Sequence, residues 1–137
     1  MVHALHEAHR VLKPNGILID LRPAAAHRRV GLSQGDTYLA LGVMREKLDD
    51  DRAADKAVEH VMREKFFRAE GRTRFACSRV MDSLVEFQKW LDYSIKLRKL
   101  PPHDWLVRKV ELARHLAGGK TRIVVSGPLT LGVLKKL

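Results

Sequence analysis

Cys77 is the only cysteine in 137 residues. No intrachain disulfide can form, and the usage suits a reducing, cytoplasmic setting. No apolar run approaches the roughly 20 residues that cross a bilayer. The first residues, MVHALHEAHRVL, are broken by His3, His6, Glu7, His9 and Arg10, so they carry no signal-peptide pattern. Aromatic residues make up 6% of the chain, and no aromatic-rich RNA-recognition motif is present. Repeats and low-complexity linkers are also absent, so residues 1–137 read as one domain.

What is present is apolar enough to fold and strongly basic. The chain is 45% hydrophobic, which supports a real core. Its formal charge is +10 and its pI about 10.2. A nucleic-acid or anionic-lipid surface is one reading of that charge. A solvated basic exterior is the other. Lys and Arg concentrate in Arg63–Arg79 and Lys96–Lys120, after an acidic stretch from Glu46 to Glu59. No long block of one sign forms, which favours the exterior reading and leaves nucleic acid as the lesser alternative.

Hydrophobic spacing predicts four helices. Residues 2–13 place Leu5, Ala8 and Leu12 on one face. Pro14-Asn15-Gly16 then stops the helix, because Pro cannot continue it and Asn-Gly accepts positive φ. Ile17 to Leu21 read as a strand apolar on both faces, suited to an interior position, and Pro23 ends it. Residues 24–44 suggest a small extra hairpin around Ser33-Gln34-Gly35-Asp36. A helix from Asp49 to about Ala69 follows, capped by its aspartates and closed by Gly71. Two more run from about Asp82 to Leu100 and from Asp104 to Ala117, ended by Pro101-Pro102 and Gly118-Gly119. TRIVVSG (121–127) and LTLGVLKK (129–136) read as two antiparallel strands separated by Pro128.

His9, Arg10, Leu12, Lys13, Pro14 and Gly16, followed by ILID, resemble one place in class I S-adenosylmethionine-dependent methyltransferases. There a helix with the pattern [HR]-R-x-L-K-P-G-G leads into the fifth strand of a seven-stranded sheet. Asn15 replaces the usual Gly, a mild departure. TRIVVSGPLTLGVLKK is similar to that family's sixth and seventh strands, and the helices between to its variable segment over the substrate. The resemblance implies an α/β fold: a partial Rossmann-like sheet of about three main strands with about four helices. The family binds S-adenosylmethionine through a Gly-rich turn after strand one and an acidic residue ending strand two. No G-x-G-x-G occurs here. The expectation is a methyltransferase-like protein without activity alone, truncated or forming the acceptor-side half of an enzyme. No cofactor is expected for this chain, and S-adenosylmethionine only if a missing half completes it. The alternatives are a non-catalytic oligomerising or interaction subunit and a basic nucleic-acid-binding module.

Without a fourth strand, Ile17–Leu21 would expose an apolar edge. The expected partner is a second copy, paired two-fold along that edge, or a separate polypeptide carrying the missing half. Asp20, Arg22 and His27 lie at and beyond the carboxyl end of the strand, where open α/β sheets bind ligands. They are the substrate-side candidates, with His27 as a general base. The blander reading pairs Asp20 with Arg22 or Arg28 and leaves His27 exposed.

Other candidates weigh less. His3, His6 and His9 lack the i, i+4 spacing of a helical metal pair and have no completing ligand, so no metal is expected. Arg28, Arg29, Arg72, Arg74 and Arg79 form an anion site only if their loops converge. Trp90, Tyr93 and Trp105 suit helix contacts better than base stacking. Cys77 has no His partner and reads as a quiet thiol.

Overall fold

A computed structural model describes residues 1–137. Its elements in chain order are α1 (Val2–Val11), β1 (Ile17–Pro23), β2 (Arg28–Gln34), β3 (Thr37–Met44), α2 (Asp49–Arg63), β4 (Phe67–Met81), α3 (Leu84–Arg98), α4 (Asp104–Ala117) and β5 (Arg122–Lys136). The class is α/β, with four helices and five strands. Hydrogen bonds join the strands into an antiparallel sheet in the order β1–β5–β2–β3, and β4 also pairs with β5. The chain divides into two compact units: Met1–Ala25 with Leu48–Phe75 and Pro128–Leu137, and Ala26–Lys47 with Ala76–Gly127. β4 and β5 each give residues to both. No helix is long and apolar enough to cross a membrane.

In the first unit, α1 ends where its sequence requires. Asn15 takes φ 62°, so the Asn-Gly pair supplies the left-handed residue through Asn. The Lys136 ammonium donates to the carbonyls of His9 (2.6 Å) and Leu12 (2.8 Å), satisfying acceptors that a helix end leaves open. Asp49, Asp50 and Asp51 occupy the first turn of α2 and complement its dipole. Leu5 of α1, Ala57, Val58 and Val61 of α2, Phe67 of β4 and Leu134 of β5 form one buried cluster.

Three expectations for this unit need correction. The helix expected to reach Ala69 stops at Arg63, because Lys65 turns left-handed at φ 62°. Residues 67–81 are instead a fifteen-residue strand, with Gly71 inside it. Ile17–Leu21 is not covered on both faces. Burial alternates along β1, leaving Ile17, Ile19 and Leu21 at 57%, 67% and 58% exposure. Such alternation belongs to a strand with one covered face. Finally, Pro128 does not separate two strands but lies within β5, so two of the three expected main strands are one; with β1, the β2–β3 hairpin and the unexpected β4 the sheet has five. Pro128 falls between the residues paired with β2 (122–126) and those paired with β1 (129–135), and with no N–H to return a bond it ends the pairing with β1. Its carbonyl accepts the Ala24 N–H at 3.0 Å.

The second unit contains the small hairpin. β2 and β3 are antiparallel, and a two-residue loop, Gly35–Asp36, closes the Gln34–Thr37 pair with Gly35 at φ 55°. A bulge lies between Val30 and Gly31. Gly31 is required there: a Cβ would meet the Tyr38 ring at 2.5 Å and the Leu39 carbonyl at 2.6 Å. The Ser83 hydroxyl caps α3 by accepting the Glu86 N–H, and the Glu86 carboxylate accepts the Asp82 N–H in return. α3 stops at Arg98, before the two prolines, because Lys99 adopts φ 52°. Val30, Leu32, Phe87, Leu91, Leu106, Val110 and Ile123 meet in the core.

Phe87 is fully buried at the centre of that core. Phe87→Ala is expected to cost about 3–5 kcal/mol, through lost transfer energy and the cavity left behind. Urea denaturation of the two proteins checks this.

Candidate functional site

Strand alternation puts Asp20 and Arg22 on the same face of β1, the half-buried one. The Arg22 guanidinium donates through Nε to Asp20 at 2.8 Å and through Nη1 to Asp55 of α2 at 2.5 Å. Arg72 of β4 approaches Asp55 at 3.5 Å. The Arg22 and Asp20 side chains are only 11% and 12% exposed. Burial opposes the charge on Arg22, but the hydrogen bonds and charges of Asp20 and Asp55 outweigh it and raise its pKa. Arg22 therefore stays cationic and donates no proton in a reaction. It positions carboxylates.

Beside this cluster lies a cavity of about 40 Å³, lined by Asp20, Arg22, Asp55, Thr130 and Gly132 among others. The Thr130 hydroxyl is buried there with no hydrogen-bond partner. The volume suits one water-sized group rather than a substrate.

His27 belongs to the second unit and to a different network. Its Nδ1 accepts the Glu46 N–H at 3.0 Å, which puts the proton of the neutral ring on Nε2. The side chain of Glu46 is 2% exposed. Its Oε1 accepts from Arg28 at 2.6 and 3.0 Å and from Arg98 at 2.5 Å. Arg28 also lies over the Trp90 ring, 5.4 Å from the centroid. Burial alone would raise the Glu46 pKa; the two arginines more than reverse this and hold it below the ordinary value of 4.5. This network braces the segment between β3 and α2.

The three candidates thus divide. Asp20 pairs with Arg22, as the blander reading had it, and His27 is exposed but hydrogen-bonded. Among the candidate anion-site arginines, Arg28 and Arg72 already face carboxylates. His6 and His9 rest on Phe66 at 4.7 and 5.0 Å, and no group of three His, Cys, Asp or Glu is placed to hold a metal. Trp90 stacks on Phe87, whereas Tyr93 points to solvent at 64% exposure. Cys77 is exposed. Sequence spacing did not reveal Asp55 or Glu46, whose partners are distant in the chain, nor Thr130, whose buried hydroxyl has none. Only the acidic stretch from Glu46 to Glu59, which holds both Glu46 and Asp55, marked that part of the sequence.

Family models, curated proteins and solved structures contain no match to this chain.

Two outcomes follow from these networks. Arg22→Ala leaves two carboxylates near each other with reduced solvation and is expected to cost about 2–3 kcal/mol in denaturant titration. A depressed folded pKa contributes stability that is full above the unfolded value and lost as pH falls through the folded one. The protein should therefore lose stability below about pH 4.5 in part through Glu46. Glu46→Gln should remove that part of the acid sensitivity while destabilising the neutral protein, as thermal melts across pH will show.

Proposed function

We propose that this chain is methyltransferase-like, supplying the fifth-to-seventh-strand part of a class I fold and lacking S-adenosylmethionine-dependent activity alone. The observation that supports this is the order of strands around β5 in the first unit. Successive backbone N–H groups of a strand point to opposite edges. Lys136 N–H donates to Gly16 and Leu137 N–H to Phe66, so β1 and β4 flank β5 on opposite sides. The order β1–β5–β4 matches the fifth, seventh and sixth strands of such a sheet. β5 runs antiparallel to β1, and α2 precedes β4 as a crossover helix would. In this mapping β4 takes the sixth-strand place, not residues 121–127. α1 ends at Val11 and the turn LKPNG leads into β1, which supports the resemblance.

The outer edge of β1 carries no strand, and its face bearing Ile17, Ile19 and Leu21 is open. A second copy paired antiparallel along β1 would be related by a two-fold axis normal to the sheet. Such an axis keeps the same face up in both copies. It would close the edge but leave an apolar face of twice the width. A segment that brings both a strand for the edge and a helix for the face satisfies both needs. The cofactor-binding part of a methyltransferase has that make-up, whether joined to this chain or separate, so that partner is preferred over a homodimer.

Calorimetric titration of S-adenosylmethionine into this chain is expected to show no binding, and micromolar affinity would overturn the reading. Reading the gene upstream of Met1 checks it a second way, the expected find being a Gly-rich strand-one motif in frame or in a neighbouring gene.

A further inference from the structure

The second unit contains a groove of about 220 Å³ between α3 and α4, unrelated to the reading above. Its walls are Leu91, Ile95 and Val107, and its rim carries Asp92, Asp104 and Arg108. His103, at the start of α4, also lines it and is 3% exposed. Its Nδ1 lies 2.7 Å from the Pro101 carbonyl. A carbonyl only accepts, so Nδ1 is the donor, and the neutral ring carries its lone pair on Nε2. Nε2 makes no hydrogen bond within the protein. Neither Asp92 nor Asp104 is in an ion pair. In a chain of charge +10, the groove therefore gathers two free carboxylates against one guanidinium.

We propose that this groove binds a primary ammonium group carried on a short apolar stem. An ammonium has three N–H donors and no acceptor. His103 Nε2 and the carboxylates of Asp92 and Asp104 offer three acceptors, two of them charged. Leu91, Ile95 and Val107 take the stem. The volume is below that of a typical drug-sized pocket, which fits a small amine or a single lysine side chain. The buried, tautomer-fixed histidine distinguishes the place from a chance pair of surface acids.

The test is NMR on the whole chain, following the His103 ring nitrogens and the methyl groups of Ile95 and Val107. Propylammonium should shift these signals saturably in the millimolar range, and propanol should not. Asp92→Asn combined with Asp104→Asn should weaken the binding roughly tenfold or more, with the amide spectrum otherwise kept. Nα-acetyl-lysine methylamide separates the sources: tighter binding than propylammonium assigns the groove to a protein lysine, and weaker binding assigns it to a free amine. No saturable shift with either amine, or equal shifts with propanol, overturns the proposal. The propanol comparison decides even if the double variant fails to fold.

Discussion

The structure depends on the hydrogen-bonding capacity of β5. Every strand pairing except that of β2 with β3 uses it. A strand has two edges, and the fifteen residues of β5 are enough to pair with β1 over 129–135, with β2 over 122–126 and with β4 besides. In the first unit it lies between β1 and β4, and in the second it holds the β2–β3 hairpin. Pro128, which has no donor, falls at the end of the pairing with β1, where its carbonyl still accepts the Ala24 N–H. Its position between two pairing partners lets one strand serve both without an unpaired N–H.

Two electrostatic clusters fix the approach of the helices and loops, and they are inverses of each other. In one, an arginine lies between two carboxylates; in the other, a carboxylate lies between two arginines. In both, desolvation opposes the charge and paired hydrogen bonds overcome it. The consequence for chemistry is restrictive. Arg22 and Glu46 are locked in their charged forms near neutral pH, so they hold geometry rather than transfer protons. The Thr130 hydroxyl in one unit, and His103 Nε2 with two acids in the other, are where a small polar ligand has something to gain.

Much of this was legible in the residues because the controlling effects are local. Pro14-Asn15-Gly16 and Gly118-Gly119 set helix ends within a turn or two. α4 matches its sequence reading, and the hairpin follows from Gly35-Asp36. β4 was hidden because Ala57, Val61 and Met62 set up a helical stripe that Phe66 and Ala69 continue by coincidence, while the break rests on one left-handed residue, Lys65. Pro128 misled in the opposite way, since a proline disrupts a strand only where its neighbour needs a donor. Asp20 and Arg22 were found because they are two residues apart. Asp55 and Glu46 were not, because the bonds that give them meaning join positions far apart in sequence, and Thr130 was not, because its role depends on burial beside Asp55.

The pairing of β1 also orders the making of the protein. Ile17 faces Lys135 and Pro23 faces Leu129, and the helix before β1 has its end closed by Lys136. During synthesis β1 cannot meet β5, nor the end of α1 meet Lys136, until more than a hundred further residues have left the ribosome. Loop closure over that separation is slow compared with forming the β2–β3 hairpin. The pairing of β1 with β5 therefore forms late, after α1 and α2 can already have packed together, and until then this edge of the apolar strand ILIDL is open to capture by chaperones or to aggregation.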